Sequence, residues 1–215
     1  MSMWCGVDEA GKGAVLGPLV VAAVGCDSEE EMLGMGLKDS KLLSPQKRRE
    51  LEEIICSRFP FAVLVIGADE IDAKRSQMNM NALMAWAHAQ VITDIGASVA
   101  CVDACDVNAA RYGNMVGCNL GRPCRIISEH HADRDRPMVS AASIVAKVHR
   151  DRAIENLAAE YGEIGSGYPS DPTTISFLQD YMAAEKKPPG CARQSWQTIH
   201  NLVALHEQSE LFKFI

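Results

Sequence analysis

The sequence predicts an α/β protein: a mixed sheet flanked by helices, with a helical C-terminal extension. Three observations lead there. Short apolar runs alternate with longer segments whose apolar residues recur at helical spacing. Proline, glycine and capping residues punctuate the junctions between them. The 215 residues, 47% of them hydrophobic, suffice to bury one sizeable core.

The elements follow in order. Met3 to Asp8, Leu19 to Cys26 and Phe61 to Ala68 read as strands, and Gly17-Pro18 makes a turn between the first two that suits an antiparallel pair. Between the second and third strands, Ser44 as N-cap and Pro45 in the first turn open a helix that buries Leu51, Ile54 and Ile55. A longer helix after Asn79 carries Met80, Leu83, Met84, Ala87 and Val91 on one stripe and delivers the chain to a fourth strand, Val99 to Asp103. Arg125 to Ser128 is a candidate fifth. Val139 to Leu157 is strongly helical, Asp171-Pro172 starts another helix, and the Lys186-Lys187-Pro188-Pro189-Gly190 breaker separates that helix from a last one over Gln194 to Leu205. No internal repeat, low-complexity tract or flexible linker interrupts the pattern.

The net charge of -7 argues against a generally basic coat, but charge is uneven along the chain. Acid dominates early, and the balance reverses between Arg134 and Arg152, where Arg136, Lys147 and Arg150 also fall. Binding to a polyanion depends on such local fields. The N-terminus lacks a basic region followed by a long apolar stretch, and Leu19 to Cys26 is too short to span a bilayer, so the expectation is a cytoplasmic protein with no membrane segment. The eight cysteines form no CxxC pair, and Cys5, Cys26, Cys56 and Cys101 lie in apolar runs, which favours reduced core thiols. Cys124, His130 and His131 are spaced too irregularly to favour a zinc site.

Gly6-Val7-Asp8-Glu9-Ala10-Gly11-Lys12-Gly13 carries the chemistry. Two adjacent carboxylates suit hard divalent ions, and a glycine-rich turn lets backbone N–H groups and one cation approach a phosphate or sugar. The same residues suit an acidic turn. Strict alternation sends Asp8 and Glu9 to opposite faces, so for both to bind metal the strand must end or twist here. Asp103 ends the fourth strand in a similar context, while Asp106 just beyond it suits capping of the turn. Asp133 and Asp135 precede the long helix. On that helix Ser140, Ser143 and Lys147 share a face distinct from the core stripe, a pattern open to phosphate contact or close packing. Tyr168, in Gly165-Ser166-Gly167-Tyr168-Pro169-Ser170-Asp171-Pro172, stands on a rigid turn where it can stack on a sugar or base.

These motifs, together with Leu16-Gly17-Pro18, Asp39-Ser40-Lys41-Leu42-Leu43-Ser44 and Ser140-Ala141-Ala142-Ser143-Ile144-Val145-Ala146-Lys147, resemble in order those of a type 2 ribonuclease H of the single-subunit archaeal kind. The resemblance implies an RNase H-like fold with a mixed five-stranded sheet. It divides the chain into a catalytic domain over 1–160, a helical extension over 161–207 and a tail over 208–215. It also implies hydrolysis of the RNA strand in RNA/DNA hybrids and cutting 5′ of ribonucleotides embedded in duplex DNA, leaving 5′-phosphate and 3′-hydroxyl ends. By motif position, Asp8, Glu9, Asp103 and Asp133 correspond to metal-binding carboxylates holding two ions, magnesium or manganese (Mg2+ or Mn2+), roughly 4 Å apart. Gly11, Lys12, Gly13 and Tyr168 are then expected to recognise the ribonucleotide and its neighbour, and Lys41, Ser140 and Lys147 to hold phosphates. Lys12 and Ala14 depart from the usual Gly-Arg-Gly-Pro turn, exchanging a planar fork for a point charge. Two other readings remain: a related nuclease acting on DNA junctions, and a nucleotide-binding α/β module. The second lacks both a phosphate loop and a dinucleotide fingerprint.

The tail Gln208-Ser209-Glu210-Leu211-Phe212-Lys213-Phe214-Ile215 follows the last predicted helix. Gln208, Leu211, Phe214 and Ile215 are spaced as in the clamp-binding motif of replication and repair enzymes, one helical turn offering apolar anchors to a groove. A PCNA-type sliding clamp is the expected partner. Packing back onto the core is the other outcome for such a tail.

Overall fold

The structure, a computed structural model, describes residues 3–37 and 43–212, the last five as main chain only. The elements are β1 (Trp4–Ala10), β2 (Leu19–Cys26), a 3-10 turn at Glu29–Met32, α1 (Pro45–Arg58), β3 (Phe61–Ile66), α2 (Ala68–Arg75), α3 (Met80–Ile95), β4 (Val99–Asp103), α4 (Ala109–Cys118), β5 (Arg125–Glu129), α5 (Ala132–Asp135), α6 (Pro137–Tyr161), α7 (Pro172–Glu185) and α8 (Gln197–Phe212). The five strands form one mixed sheet in the order β3-β2-β1-β4-β5. β1 is antiparallel to β2 and parallel to β4, and β4 is parallel to β5.

Several elements start and stop for the reasons their residues dictate. Ser44 accepts from Lys47 N at the head of α1, Asn79 from Ala82 N at the head of α3, and Asp171 from Thr173 N at the head of α7. Gly96 closes α3 in the left-handed conformation, which a side chain disfavours. Five expectations are corrected. Ile54, expected to be buried with Leu51 and Ile55 on α1, is exposed. β1 runs through both Asp8 and Glu9 to Ala10 instead of ending at Asp8. β3 stops at Ile66, because Gly67 caps α2, a helix the apolar run concealed. α4 was not anticipated: it carries Gly113 and Gly117, which weaken helix propensity, yet Asn108 caps it through Arg111 N. A Cβ at Gly113 would lie 3.0 Å from Ser128 Cβ on β5, so the glycine serves the close approach of helix and strand. Finally, α8 continues to Phe212, so residues 208–212 of the expected tail are helix.

The chain divides into two compact units, 1–10, 20–65 and 78–149 in one, 11–19, 66–77 and 150–215 in the other. The boundary falls inside α6, between His149 and Arg150. In the first unit, one sheet face packs Ala10, Val20, Ala22 and Val24 against Leu51 and Ile55 of α1 and the Ala141-Ile144-Val145-Val148 stripe of α6. Gly6 permits this: a Cβ there would sit 2.2 Å from the Met138 carbonyl carbon. α3 packs on β1 and on α4, with Leu83, Met84, Ala87 and Val91 buried as the stripe predicts. In the second unit, Val15, Leu16, Ile154, Ile164, Leu178, Met182, Ile199 and Leu202 form a core of their own, pinned by the Leu16–Ala192 bridge.

All eight cysteines are free; Cys5, Cys26 and Cys101 are buried and Cys56 half-buried. Among the described residues no helix is long and apolar enough to cross a membrane.

Candidate active site

β1 and β4 lie side by side in parallel at the sheet centre, with Val7 opposite Val102. The next residue on each strand is an aspartate, so this register alone sets Asp8 beside Asp103. Asp8 is 5% exposed. Burial raises its pKa first, then the charge of Glu9; Lys147, a hydrogen bond from Ser143 and the charge of Asp103 follow, the lysine and serine pulling it back down. Asp103 is also raised, by burial before all else, and then by Asp133 and Glu9, against the Ala132 N–H that donates to its Oδ1 at 2.9 Å. Ala132 opens α5, and the short helix thus orients one acid while presenting the next: Asp133 is buried, whereas Asp135 is exposed.

Asp8 and Glu9 do obey strand alternation. Asp8 faces Ser143 and Lys147 of α6, while Glu9 faces α3, with its Oε2 3.4 Å from Nε2 of His88. Each nonetheless lies in the other's electrostatic reach, as both lie in that of Asp103. The two carboxylates need not share a face to share a field. Four acids with oxygen donors, two of them with pKa values raised by burial and by neighbouring acids, are what a hard divalent ion would relieve. The residues present therefore fit such an ion.

Glu9 belongs to a side-chain cluster that the sequence alone does not reveal. Cys105 Sγ donates to Glu9 Oε1 at 3.2 Å. His88 is fully buried, and its Nδ1 lies 3.1 Å from the hydroxyl of the equally buried Tyr112. His88 stands within the apolar stripe of α3, and a lone histidine there gives no sequence signal until the fold places Glu9 before it. Asp106 performs the turn-holding role expected of it, accepting from Asn108 N at 2.8 Å and from Asn81 at 2.8 Å and pairing with Arg111.

On α6, the hydroxyl beside Lys147 belongs to Ser143, whose Oγ the lysine contacts directly. Ser140 is buried, its Oγ 2.7 Å from Leu37 O and 2.8 Å from Asp133 O. Its hydroxyl thus ties α6 to main chain, including that of the acid-bearing α5. The basic run between Arg134 and Arg152 does not form one stripe: Arg136 is paired with Glu129 at 3.0 Å and Glu29 at 3.4 Å, and Arg150 is buried.

The second unit holds Gly11, Lys12, Gly13 and Tyr168. Gly11 has φ +87°, and a Cβ there would meet Arg150 Nε at 2.6 Å and Pro18 O at 2.7 Å; both conformation and space demand glycine. Gly13 is exposed, with open space around it. The Lys12 carbonyl accepts from Arg193 Nη1 at 3.2 Å, and Gly17 O from Arg193 Nε at 3.1 Å. Val15 N and Leu16 N donate to Gly167 O at 2.8 and 3.1 Å, which fixes the glycine turn to the Tyr168 turn. The Arg150 guanidinium lies 4.5 Å from the Tyr168 ring centroid and donates to Ser166 O at 2.8 Å. Neither arginine was expected here. Burial depresses both, and Arg193, with Arg150 adding its repulsion, is brought down to about 9. A guanidinium keeps its charge at neutral pH even so, which gives the turns a fixed positive field. Lys41, Phe214 and Ile215 lie outside the described residues, as do the side chains of Gln208 and Leu211.

A five-stranded mixed sheet in this order, acidic on adjacent central strands and followed by C-terminal helices, is the RNase H-like α/β fold. Among solved structures, ribonuclease H2 from Pyrococcus horikoshii matches it with a TM-score of 0.90 at 36% identity, over 96% of this chain and 99% of that one. The RNase HII in the PCNA:RNase HII complex from Archaeoglobus fulgidus matches with a TM-score of 0.85 at 39% identity, over 91% of this chain and 95% of that one. Ribonuclease HII of Methanoregula boonei is 54% identical over 99% of this chain and all of its own length. The sequence matches the Ribonuclease HII family over residues 5–199. The chain belongs to that family of endoribonucleases.

Proposed function

We propose that the protein hydrolyses the RNA strand of RNA/DNA hybrids and cuts 5′ of single ribonucleotides in duplex DNA, with Asp8, Glu9, Asp103 and Asp133 holding two magnesium or manganese ions. The observation that carries this reading is the carboxylate cluster itself, with Asp8 and Asp133 buried and Glu9 and Asp103 half-buried, in which Asp8 and Asp103 are both raised by burial and by neighbouring acids. When bound, the ions make the attacking water easier to ionise and offset charge on the leaving 3′-oxygen.

The chain's own residues do the rest. Ser143 and Lys147 steady Asp8, and the Ala132 N–H holds one oxygen of Asp103 so that the other is presented in a fixed direction. Lys147 is the candidate cation for a phosphate oxygen. In the second unit, main-chain groups of Gly11 and Gly13 are the candidates for the ribose 2′-hydroxyl, the group that separates RNA from DNA, with Lys12 as a nearby charge. Tyr168, held by Arg150, is the candidate platform for the neighbouring sugar. A PCNA-type clamp is the proposed partner for the C-terminal tail, in keeping with the clamp complex of the Archaeoglobus relative.

One magnesium assay on four matched duplexes tests the reading: an RNA/DNA hybrid, DNA with one ribonucleotide, all-RNA and all-DNA. Cleavage of the first two alone is expected, with the cut 5′ of the ribonucleotide. Tyr168→Ala should lose about 1–3 kcal/mol on the single-ribonucleotide duplex and less on the long hybrid. Cleavage of all-DNA duplex would overturn the assignment, and equal loss on both substrates would make Tyr168 a support of the fold.

A further inference from the structure

We propose that His88, Cys105 and Glu9 form a soft-metal site, sharing Glu9 with the carboxylate centre but adding imidazole and thiol donors, that takes zinc and thereby withdraws Glu9 from the reaction. The inhibitory half of this rests on the role proposed for Glu9 above; the binding half does not.

The geometry points to an ion. The donor atoms of the three side chains all lie within 4.8 Å of one another. Cys105 Sγ is 3.2 Å from Glu9 Oε1, and His88 Nε2 is 3.4 Å from Glu9 Oε2. Zinc bond lengths near 2.0–2.3 Å in a tetrahedron set donors roughly 3.3–3.8 Å apart, so the side chains need little rearrangement. His88 is completely buried and its Nε2 makes no hydrogen bond. A buried ring nitrogen so placed, aimed at a thiol and a carboxylate, is costly unless something binds it. The other ring nitrogen is already provided for. Nδ1 lies 3.1 Å from the Tyr112 hydroxyl, with the rings edge to face at 5.6 Å. A proton on Nδ1 directed at that oxygen leaves the Nε2 lone pair facing the cluster, the second-sphere arrangement that metal-binding histidines use.

The chemistry of the donors selects the metal. Imidazole and thiolate favour zinc over magnesium, which prefers oxygen alone. Glu9 and Cys105 are half-buried, so the cluster opens on their side and not at His88. Three protein ligands leave a fourth position for water. On binding, the Cys105 sulfur exchanges its proton for the ion and the proton passes to solvent; no electrons move. Glu9, now held by zinc beside His88, is no longer available to the oxygen-coordinated ions at Asp8 and Asp103.

The test uses the full-length protein and two probe ions. Cobalt(II) titrated into the magnesium-free protein should give a sulfur-to-cobalt charge-transfer band in the near ultraviolet that saturates at one thiolate-bound ion per chain and that zinc should bleach. Cys105→Ser and Cys105→Ala should both lose the band, and Tyr112→Phe should weaken zinc binding about 10-fold. In magnesium-driven cleavage of a hybrid, zinc should inhibit the wild type, while both Cys105 variants keep their uninhibited rate and resist zinc by about 10-fold or more. A band that survives in both Cys105 variants, or no band at all, overturns the site. Zinc binding through Cys105 with equal inhibition of wild type and variants would overturn the withdrawal of Glu9. A chain that binds cobalt as described but cleaves no hybrid would instead refute the proposed activity and leave the metal site standing.

Discussion

Asp8 shows what burying a carboxylate among others does to the protein as well as to its chemistry. Burial first, then Glu9, raises its pKa above the ordinary carboxylate value. The folded chain thus holds this proton more tightly than the unfolded one. The associated stability is fully present below about pH 4 and is lost as pH rises through the folded value. Asp8→Asn removes that loss. In metal-free buffer near pH 8, the variant should melt higher than the wild type by about 1 kcal/mol or more, some 2–4 °C, and the difference should vanish toward about pH 4. Added magnesium should stabilise the wild type and not the variant. A variant less stable than the wild type at pH 8 without metal would show that Asp8 is not under this repulsion. Asp8, Glu9 and Asp103 stand out in the sequence as carboxylates at the ends of apolar runs, whereas Asp133, which lies in α5, is set apart from Asp135 only by the family resemblance. His88, Cys105, Arg150 and Arg193 do not stand out: each acquires its meaning only from a partner far off in the chain.

At the scale of elements, the approach of α6 to β1 decides whether Ser143 and Lys147 reach Asp8, and Gly6 sets that approach. Gly6→Ala would place a methyl 2.2 Å from the Met138 carbonyl carbon and 2.3 Å from Val139 N. Because backbone must move, the expected loss is about 3 kcal/mol, a drop in Tm of roughly 6–12 °C, with cleavage falling alongside. An unchanged Tm would mean that helix and strand are not in such close contact. Periodicity and capping residues found α1, α3 and α7 and all five strands. They missed α4, whose two glycines look like breakers until β5 is seen lying against Gly113, and α2, whose start is hidden at the end of an apolar run. β1 outlasted its expected end because Ala10 still pairs with Val20, a partner that a single strand's pattern cannot reveal.

For the whole molecule, the acids gather in the sheet unit and the glycine and tyrosine turns in the other, so a net charge of -7 conceals a division of labour that the total could not express. The same division separates the basic run: Arg136 serves ion pairs in the sheet unit, and Arg150 is buried in the other. The C-terminus adds a third function to the proposal. Deleting 208–215 should leave cleavage of free duplexes unchanged and abolish heat of binding to a PCNA-type clamp in calorimetry; binding that persists, or a truncated chain that unfolds, would make the tail structural. The central claim, that a carboxylate cluster at the ends of β1 and β4 performs metal-dependent hydrolysis, is tested most directly at Asp103, which meets both Asp133 and Glu9 electrostatically. The measurement is single-turnover cleavage of a hybrid in magnesium by Asp103→Asn, beside its affinity for the uncut hybrid. The account predicts a fall of about a thousandfold or more in rate, on the order of 4 kcal/mol, with affinity nearly unchanged; near wild-type turnover would contradict it.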